Sequence, residues 1–463
     1  MTSVPELAAP TEIASVDQMF LEARRHFDAG NLGQAAKLCH AIINIQKNHV
    51  PSFQMLGSLA YRRGNFGLSV EFFRCAAALM PDDSRNHNNL ATALSASGRN
   101  NQAINCIKKV MLRDPGFFSA YYNMGNILQR LGNFEEAMTC YQRTLTIEPK
   151  NVDAHWNLAL TYLRAGRFAD GWAEYEWRWM RPGTPVEHRN VPGWDGRPFE
   201  GRTLLLVCEQ GLGDTLQFVR YLPHAIQKGG SVILRCQPEL VRLLSGFSGV
   251  AHIVTRDDPL PVFDVQSSLM SLPGLFGTTL ETIPNQVPYL PVPGVSASRM
   301  LEGDGLKVGL VWGSSPTDPS RSCPLSKLLD LGRVPGVQLF SLQKGPWAAD
   351  LGHVPEAEFI EDLSDRIHDM ADTAAFVCQL DLIITVDTSV AHLAGALGRP
   401  TWILLPHLAD WRWMVDREDC PWYPTARLFR QEAPGDWDGV IARLLSAFNN
   451  LTSSGASPGE THA

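Results

Sequence analysis

The chain has 463 residues, too many for one ordinary hydrophobic core and enough for two to four units of roughly 100–200 residues each. Hydrophobic residues make up 44% and charged ones 19%, and 40 basic side chains stand against 48 acidic ones, a net charge of −8. No Lys/Arg run or basic stripe occurs, so nucleic acid is excluded as an expected partner. The nine cysteines are scattered, with no CxxC pair and no Cys/His grouping of metal-ligand spacing, which fits a reducing cytoplasm and predicts no metal site. The opening MTSVPELAAPTEIASVDQ lacks the basic start and apolar core of a signal peptide, and no run of about 20 apolar residues comes later. Residues 1–15 are therefore expected to be a disordered leader on a cytoplasmic protein.

From residue 16 to 185 the chain repeats. Gly30, Gly64, Gly98, Gly132 and Gly166 are each 34 residues apart, and Pro81, Pro115 and Pro149 keep the same beat. This period, with a glycine at the interior turn and a proline at the stop, is that of helix–turn–helix tetratricopeptide (TPR) repeats, about five of them. The copy at 121–149 predicts Gly125 for close packing, Ala137 at the helix crossing and Tyr141 on the second helix. Asn89, Asn123 and Asn157 also recur every 34 residues, at the first-helix position that faces the concave groove of such arrays. An amide offers both a donor and an acceptor, so a ladder of them can hold the backbone of an extended acceptor peptide. The array resembles that of TPR O-GlcNAc transferases, which use such a ladder for protein substrates. Its aromatic end, Trp172, Tyr175, Trp177 and Trp179 with Trp194, is expected to join the array to the next domain.

Beyond residue 185 the period changes. Apolar runs at 203–208, 231–236, 252–254 and 262–268 alternate with helical patterns, which predicts a parallel sheet in a Rossmann-like unit over 186–290. Residues 291–305, rich in Pro, Gly and Ser, read as a linker. A second Rossmann-like unit is expected over 306–447, with strands at 307–313, 337–343, 359–362, 382–387, 401–405 and 426–430, and then a disordered tail at 448–463. The fold class is a multidomain one, an all-α TPR solenoid followed by an α/β region of two such units, with a cleft between the carboxyl edges of their sheets.

Two stretches carry chemistry. CEQGLGDTLQF (208–218) has the strand, glycine turn and helix of a dinucleotide fingerprint, but Leu216 stands where the third glycine belongs. Asp214 sits at the mouth of the helix, where it would repel a pyrophosphate; the turn presents an acid. LIITVDTSVAHLAGALGRPTWILL (382–405) ends a buried strand at Asp387. Thr388 and Ser389 can cap the next helix, and His392 lies away from Val390, Leu393, Ala394 and Leu397. A helix N-terminus flanked by Thr, Ser and His suits a phosphate.

GLGD before a helix, and the later D-T-x-x-x-H-L-x-x-A-L-G-x-P, resemble glycosyltransferase family 9, the heptosyltransferase-like enzymes of GT-B fold, over about residues 200–447. The likeness is closer still to bacterial proteins with TPRs ahead of this domain, flagellin glycosyltransferases among them. The resemblance implies Asp214 as general base and a nucleotide-sugar site formed by Asp387, Thr388, Ser389 and His392, with Gly211 and Gly213 of the first turn. Ser314, Ser315 and Arg321 in the loop 312–327, and Gln343 and Lys344 after the next strand, are further candidates for the donor. The family's lysine in that loop lacks a clear counterpart, since Lys327 falls several residues late. The segment 407–424 reads as packing, with Asp410 and Arg412 able to enter the cleft. The resemblance implies no cofactor beyond the nucleotide-sugar co-substrate and no metal.

The expected function is transfer of a sugar from a nucleotide donor to Ser or Thr of a protein held by the TPR groove. A lipopolysaccharide or other glycan transferase whose TPRs serve assembly, and a non-catalytic scaffold with a degenerate GT-B domain, remain open alternatives.

Overall fold

The computed structural model describes residues 15–184, 191–291 and 300–454. The expected leader up to residue 14, most of the linker (292–299) and the tail beyond 454 lie outside the described residues. Ten helices come first: α1 (Val16–Asp28), α2 (Leu32–Ile45), α3 (Val50–Arg62), α4 (Phe66–Leu79), α5 (Ser84–Ala96), α6 (Asn100–Arg113), α7 (Phe118–Arg130), α8 (Phe134–Ile147), α9 (Val152–Arg164) and α10 (Phe168–Tyr175). They form five helix–turn–helix pairs, as the 34-residue period predicts. Each of the five turn glycines has a φ between 72° and 80°, a conformation that costs any residue with a Cβ. The other glycine positions act through space: a Cβ on Gly57 would lie 2.8 Å from the Phe73 ring, and one on Gly125 2.6 Å from the Tyr141 ring. With Ala137 and Tyr141 both fully buried, the predicted crossing of α7 and α8 is borne out.

The described residues divide into two compact units between Leu158 and Ala159, inside α9 rather than at residue 185. The first unit holds α1–α8 and the start of α9. In the second, Phe168 and Trp172 of α10 pack on Trp411 and Trp422; the Trp172 and Trp411 ring centroids are 5.5 Å apart. Trp172 Nε1 donates to the Thr278 carbonyl at 2.9 Å. These aromatic contacts explain why α10 belongs to the α/β unit.

All ten strands expected from the sequence form. In the first half, β1 (Thr203–Val207), β2 (Ser231–Arg235), β3 (Val250–Val254) and β4 (Val265–Ser268) make a parallel sheet in the order β3-β2-β1-β4. In the second, β5 (Leu306–Val311), β6 (Val337–Ser341), β7 (Ile360–Asp362), β8 (Leu382–Val386), β9 (Thr401–Leu405) and β10 (Ala426–Arg430) make a parallel sheet in the order β10-β9-β8-β5-β6-β7. Counted from β5, the second order is the 3-2-1-4-5-6 of doubly wound dinucleotide folds, and the first sheet reproduces its opening 3-2-1-4. β8 and β9 are buried at every position, as strands covered by helices on both faces must be.

The connecting helices are α11 (Leu212–Phe218), α12 (Leu222–Ile226), α13 (Pro238–Leu244) and α14 (Leu272–Leu275) in the first half. The second half has α15 (Asp350–His353), α16 (Met370–Val377), α17 (Ser389–Ala396) and α18 (Trp437–Ser454). Helix α18 corrects the expected tail at 448. Ile441, Leu444, Phe448 and Leu451 continue one helical stripe, and the last two are 0% and 3% exposed in the core of the second sheet.

Candidate functional site

In each sheet the crevice opens where the strand order reverses, beside β1 and β4 in the first and β5 and β8 in the second. The chain leaves β8 at Asp387 and enters α17, and leaves β5 into the loop that carries Ser314, Ser315 and Arg321. Ser314 Oγ donates to the Asp387 carbonyl at 3.1 Å, joining the two exits. From the first half, α11 packs on α17. The closeness rests on Gly213, where a Cβ would stand 2.7 Å from His392 Cδ2.

A cleft of about 660 Å³ results. It is lined by Gly213 and Asp214 from the first half and by Ser314, Ser315, Arg321, Gln343, Lys344, Asp387, Thr388, Ser389 and His392 from the second. The tertiary structure thus brings together sequence candidates from separate stretches of both halves. Gly211 does not line the cleft. It is the N-cap of α11, and its N–H donates to Asp214 Oδ2 at 2.9 Å, so its amide is engaged within the turn.

Asp214 lies at the third position of α11 and is not the N-cap. Its second oxygen, Oδ1, pairs with Arg412. Arg412 is buried, lies 4.4 Å over the Trp411 ring, and also donates to Gln217 Oε1 and Asp410 Oδ1, each at 2.8 Å. A carboxylate offers about four lone-pair sites, so Asp214, held at two, keeps further acceptor capacity facing the cleft.

In the second half, Arg321 donates to the Asp387 carbonyl at 2.5 Å and forms an ion pair with its carboxylate at 3.0 Å. Burial raises the Asp387 carboxyl to about 6, against the pull of Arg321. Thr388 is the N-cap of α17, but its hydroxyl meets Thr385 Oγ1 at 3.1 Å, so no side chain caps the helix there. The first-turn amides therefore keep their capacity for an anion. Lys344 is exposed and reaches the Ser364 carbonyl at 2.7 Å. Ser315 Oγ bonds Thr317 Oγ1 at 2.8 Å, and Lys327 pairs with Asp438 outside the cleft.

Two expectations are corrected. The sequence pattern puts His392 on an open polar face, yet it is 5% exposed: its ring stacks on Trp413 at 5.1 Å, and Nδ1 meets Tyr423 Oη at 2.9 Å. Burial, reinforced by Arg412, lowers its pKa to about 3, so the ring is neutral. Gln343 is expected to reach the nucleotide. Its Oε1 instead accepts from the Trp312 and Gly313 amides at 3.0 and 2.7 Å, and its Nε2 donates to the Gly313 and Lys344 carbonyls at 3.2 and 2.9 Å. A glutamine has no further capacity, so Gln343, although it lines the cleft, spends its polar atoms clamping the two loops beside it.

The residue underweighted by sequence reasoning is Arg412. The signal is a repeated tetrapeptide, WRWM at 177–180 and again at 411–414. In both copies the arginine is buried, lies over an indole and pairs with an acid, Glu209 for Arg178 and Asp214 for Arg412.

In the helical array, Asn89, Asn123 and Asn157 are all half-buried. Asn123 Nδ2 donates to Asn88 Oδ1 at 3.0 Å, and Asn157 Nδ2 donates to Tyr122 Oη at 3.1 Å and Asn126 Oδ1 at 2.9 Å. Two members of the ladder thus tie one repeat to the preceding one.

Tetratricopeptide repeat families match residues 84–117 and 118–151. Protein FlbA of Caulobacter vibrioides is 26% identical over 498 residues, spanning 92% of this chain and 83% of its own length. The peroxisomal targeting signal receptor of Kluyveromyces lactis is 35% identical over 75 residues, 16% of this chain and 13% of the receptor. Among solved structures, MamA is 17% identical with a TM-score of 0.31, covering 34% of this chain and 92% of its own. A thermophilic TPR protein of Thermus thermophilus is 17% identical with a TM-score of 0.33, covering 36% and 92%. No helix among the described residues is long and apolar enough to cross a membrane. The amino-terminal part of the chain is a TPR solenoid, and a region of parallel sheets and helices comes after it.

Proposed function

We propose that the protein is a cytoplasmic, nucleotide-sugar-dependent glycosyltransferase of GT-B type that modifies Ser or Thr of a protein acceptor recruited by its TPR groove. The observation that carries this reading is the cleft itself. A carboxylate held by Arg412 on the wall formed by the first half faces basic and hydroxyl groups at the switch point of a doubly wound sheet. In the reaction, the acceptor oxygen attacks the anomeric carbon, its proton passes to Asp214, and the bond from that carbon to the phosphate oxygen breaks. The leaving nucleotide keeps the electron pair. Arg321, Lys344 and the uncapped start of α17 stabilise the charge that develops on it. His392 remains neutral, packs Gly213 against α17 and fixes the distance between the two walls. The reading requires neither a metal nor a further cofactor, and Asn89, Asn123 and Asn157 are its acceptor-peptide contacts.

The test is intact-mass analysis of a candidate acceptor co-expressed with the enzyme. A mass increase of one sugar, absent with Asp214→Asn, supports the reading. Sugar label entering lipopolysaccharide or another glycan instead of protein, or no consumption of any nucleotide sugar, would overturn it.

A further inference from the structure

A second cavity, of about 890 Å³, opens at the carboxyl edge of the first sheet, at its switch point between β1 and β4. Trp172, Trp179 and Trp194 line it, and Gln210 belongs both to it and to the Asp214 cleft. At its inner side is Glu209, with a side chain 8% exposed. Its Oε1 accepts from Arg178 Nη2 at 3.2 Å and from Ser268 Oγ, which bridges the crevice from β4. Its Oε2 is buried and has no hydrogen-bond partner. Arg178 supplies nothing more, since it also donates to the Tyr175 carbonyl at 3.2 Å, Glu176 Oε1 at 2.6 Å and Ser271 Oγ at 2.7 Å. A buried carboxylate oxygen left unpaired costs free energy that a ligand hydroxyl recovers.

The chemistry narrows the occupant. Arg235 and Arg256 line the cavity as well as Glu176, Glu209 and Asp257, so charge alone does not choose the occupant. A purely apolar ligand would leave Oε2 unpaired. A sugar ring suits both features, because its C–H face lies on indoles while its hydroxyls reach carboxylate, serine and amide groups. We propose that this cavity is a carbohydrate-binding site that takes a hydroxyl-rich ring against Glu209 and the tryptophans, next to the cleft where transfer is proposed. The inference deepens the transferase reading. The ring is either the donor's glycosyl group or a sugar on the acceptor.

Calorimetry and tryptophan fluorescence on the full chain test the site. The probes are free glucose, galactose, mannose, N-acetylglucosamine, glucuronic acid and N-acetylneuraminic acid, then UDP, GDP and CMP alone and linked to sugars. The expected result is that at least one free or nucleotide-linked sugar binds and that Glu209→Gln weakens it about tenfold or more, with the bare nucleotide unaffected. Because Glu209→Gln leaves the buried Arg178 with Glu176 as its remaining charge partner, Trp179→Ala, at a half-buried position, is the second variant and should give the same pattern if the first does not fold. A Glu209-sensitive response to free sugars points to an acceptor glycan, and one confined to nucleotide-linked sugars points to the donor. No sugar response, or equal weakening of bare nucleotide, overturns the proposal. Sugar binding without any nucleotide binding would leave this site standing and remove the transferase reading.

Discussion

Arg412 and Asp214, 198 residues apart in the chain, form an ion pair across the cleft. Both are shielded, with side chains 8% and 22% exposed. The pair ties α11 of the first half to the loop after β9 in the second, so the same contact that orients the proposed base also fastens the two halves together. Removing one partner of such a pair leaves a buried charge and costs about 3–5 kcal/mol, whereas removing both costs less than the sum. Urea unfolding of Arg412→Ala, Asp214→Ala and the double variant should show this non-additivity. Additive losses would mean the two groups do not interact.

Asp214→Asn is milder, because the amide oxygen can still accept from Gly211. It should fold and bind nucleotide, with a stability loss of about 1–3 kcal/mol from the neutralised pair. Its transfer rate should fall by about 10²–10⁴. Steady-state kinetics with near-normal turnover would remove the base assignment.

His392 and Asp387 oppose each other in acid. The His392 pKa is depressed from 6.5 to about 3, so its contribution is present above pH 6.5 and lost as pH falls toward 3. The Asp387 pKa is raised from 3.8 to about 6, so its contribution is full below pH 3.8 and lost as pH rises through 6. Between pH 4 and 6 the two slopes, each at most about 1.4 kcal/mol per unit, largely cancel. Asp387→Asn should therefore lose stability relative to wild type on acidification through this window, and His392→Gln should gain it. Melting temperatures from pH 4 to 7 check this, and parallel profiles for all three proteins would contradict it.

The two glycines of the first turn separate cleanly. Gly213→Ala places a Cβ 2.7 Å from the His392 ring, whereas Gly211→Ala meets only Asp214 Oδ2, at 3.3 Å. The first substitution should cost about 1–3 kcal/mol through overpacking and impair nucleotide binding, and the second should stay within about 1 kcal/mol. Thermal unfolding of both, with calorimetry of a nucleoside diphosphate, distinguishes them; equal effects would mean that α11 and α17 are not tightly apposed.

The asparagine ladder has two measurable roles. Asn123→Ala breaks one hydrogen bond to the preceding repeat and Asn157→Ala two, and each bond lost should cost about 0.5–1.5 kcal/mol of solenoid stability. The triple variant with Asn89→Ala should also lose at least about tenfold in activity on a full protein acceptor at sub-saturating concentration, while nucleotide binding persists. A folded triple variant with undiminished transfer would take the groove out of acceptor recognition.

What the sequence determined by itself is what short-range rules encode. The 34-residue beat requires positive φ at Gly30 to Gly166, the Gly125–Tyr141 contact reflects a 16-residue offset within one repeat, and the central strands β8 and β9, buried at every position, are legible as apolar runs because strands covered on both faces must be apolar on both. Asp387 through His392 could be placed at a strand-to-helix turn for the same reason. Only the tertiary structure decided which groups are available. Gln343 is fully engaged by two loops, His392 is sealed under Trp413 and Tyr423, Arg412 holds Asp214, and Glu209 keeps one oxygen unpaired beside a second cavity. Their partners are brought near by strand order and helix packing, not by spacing along the chain. Hydrogen-bond satisfaction and burial are properties of the assembled neighbourhood, and no local pattern of residues carries them.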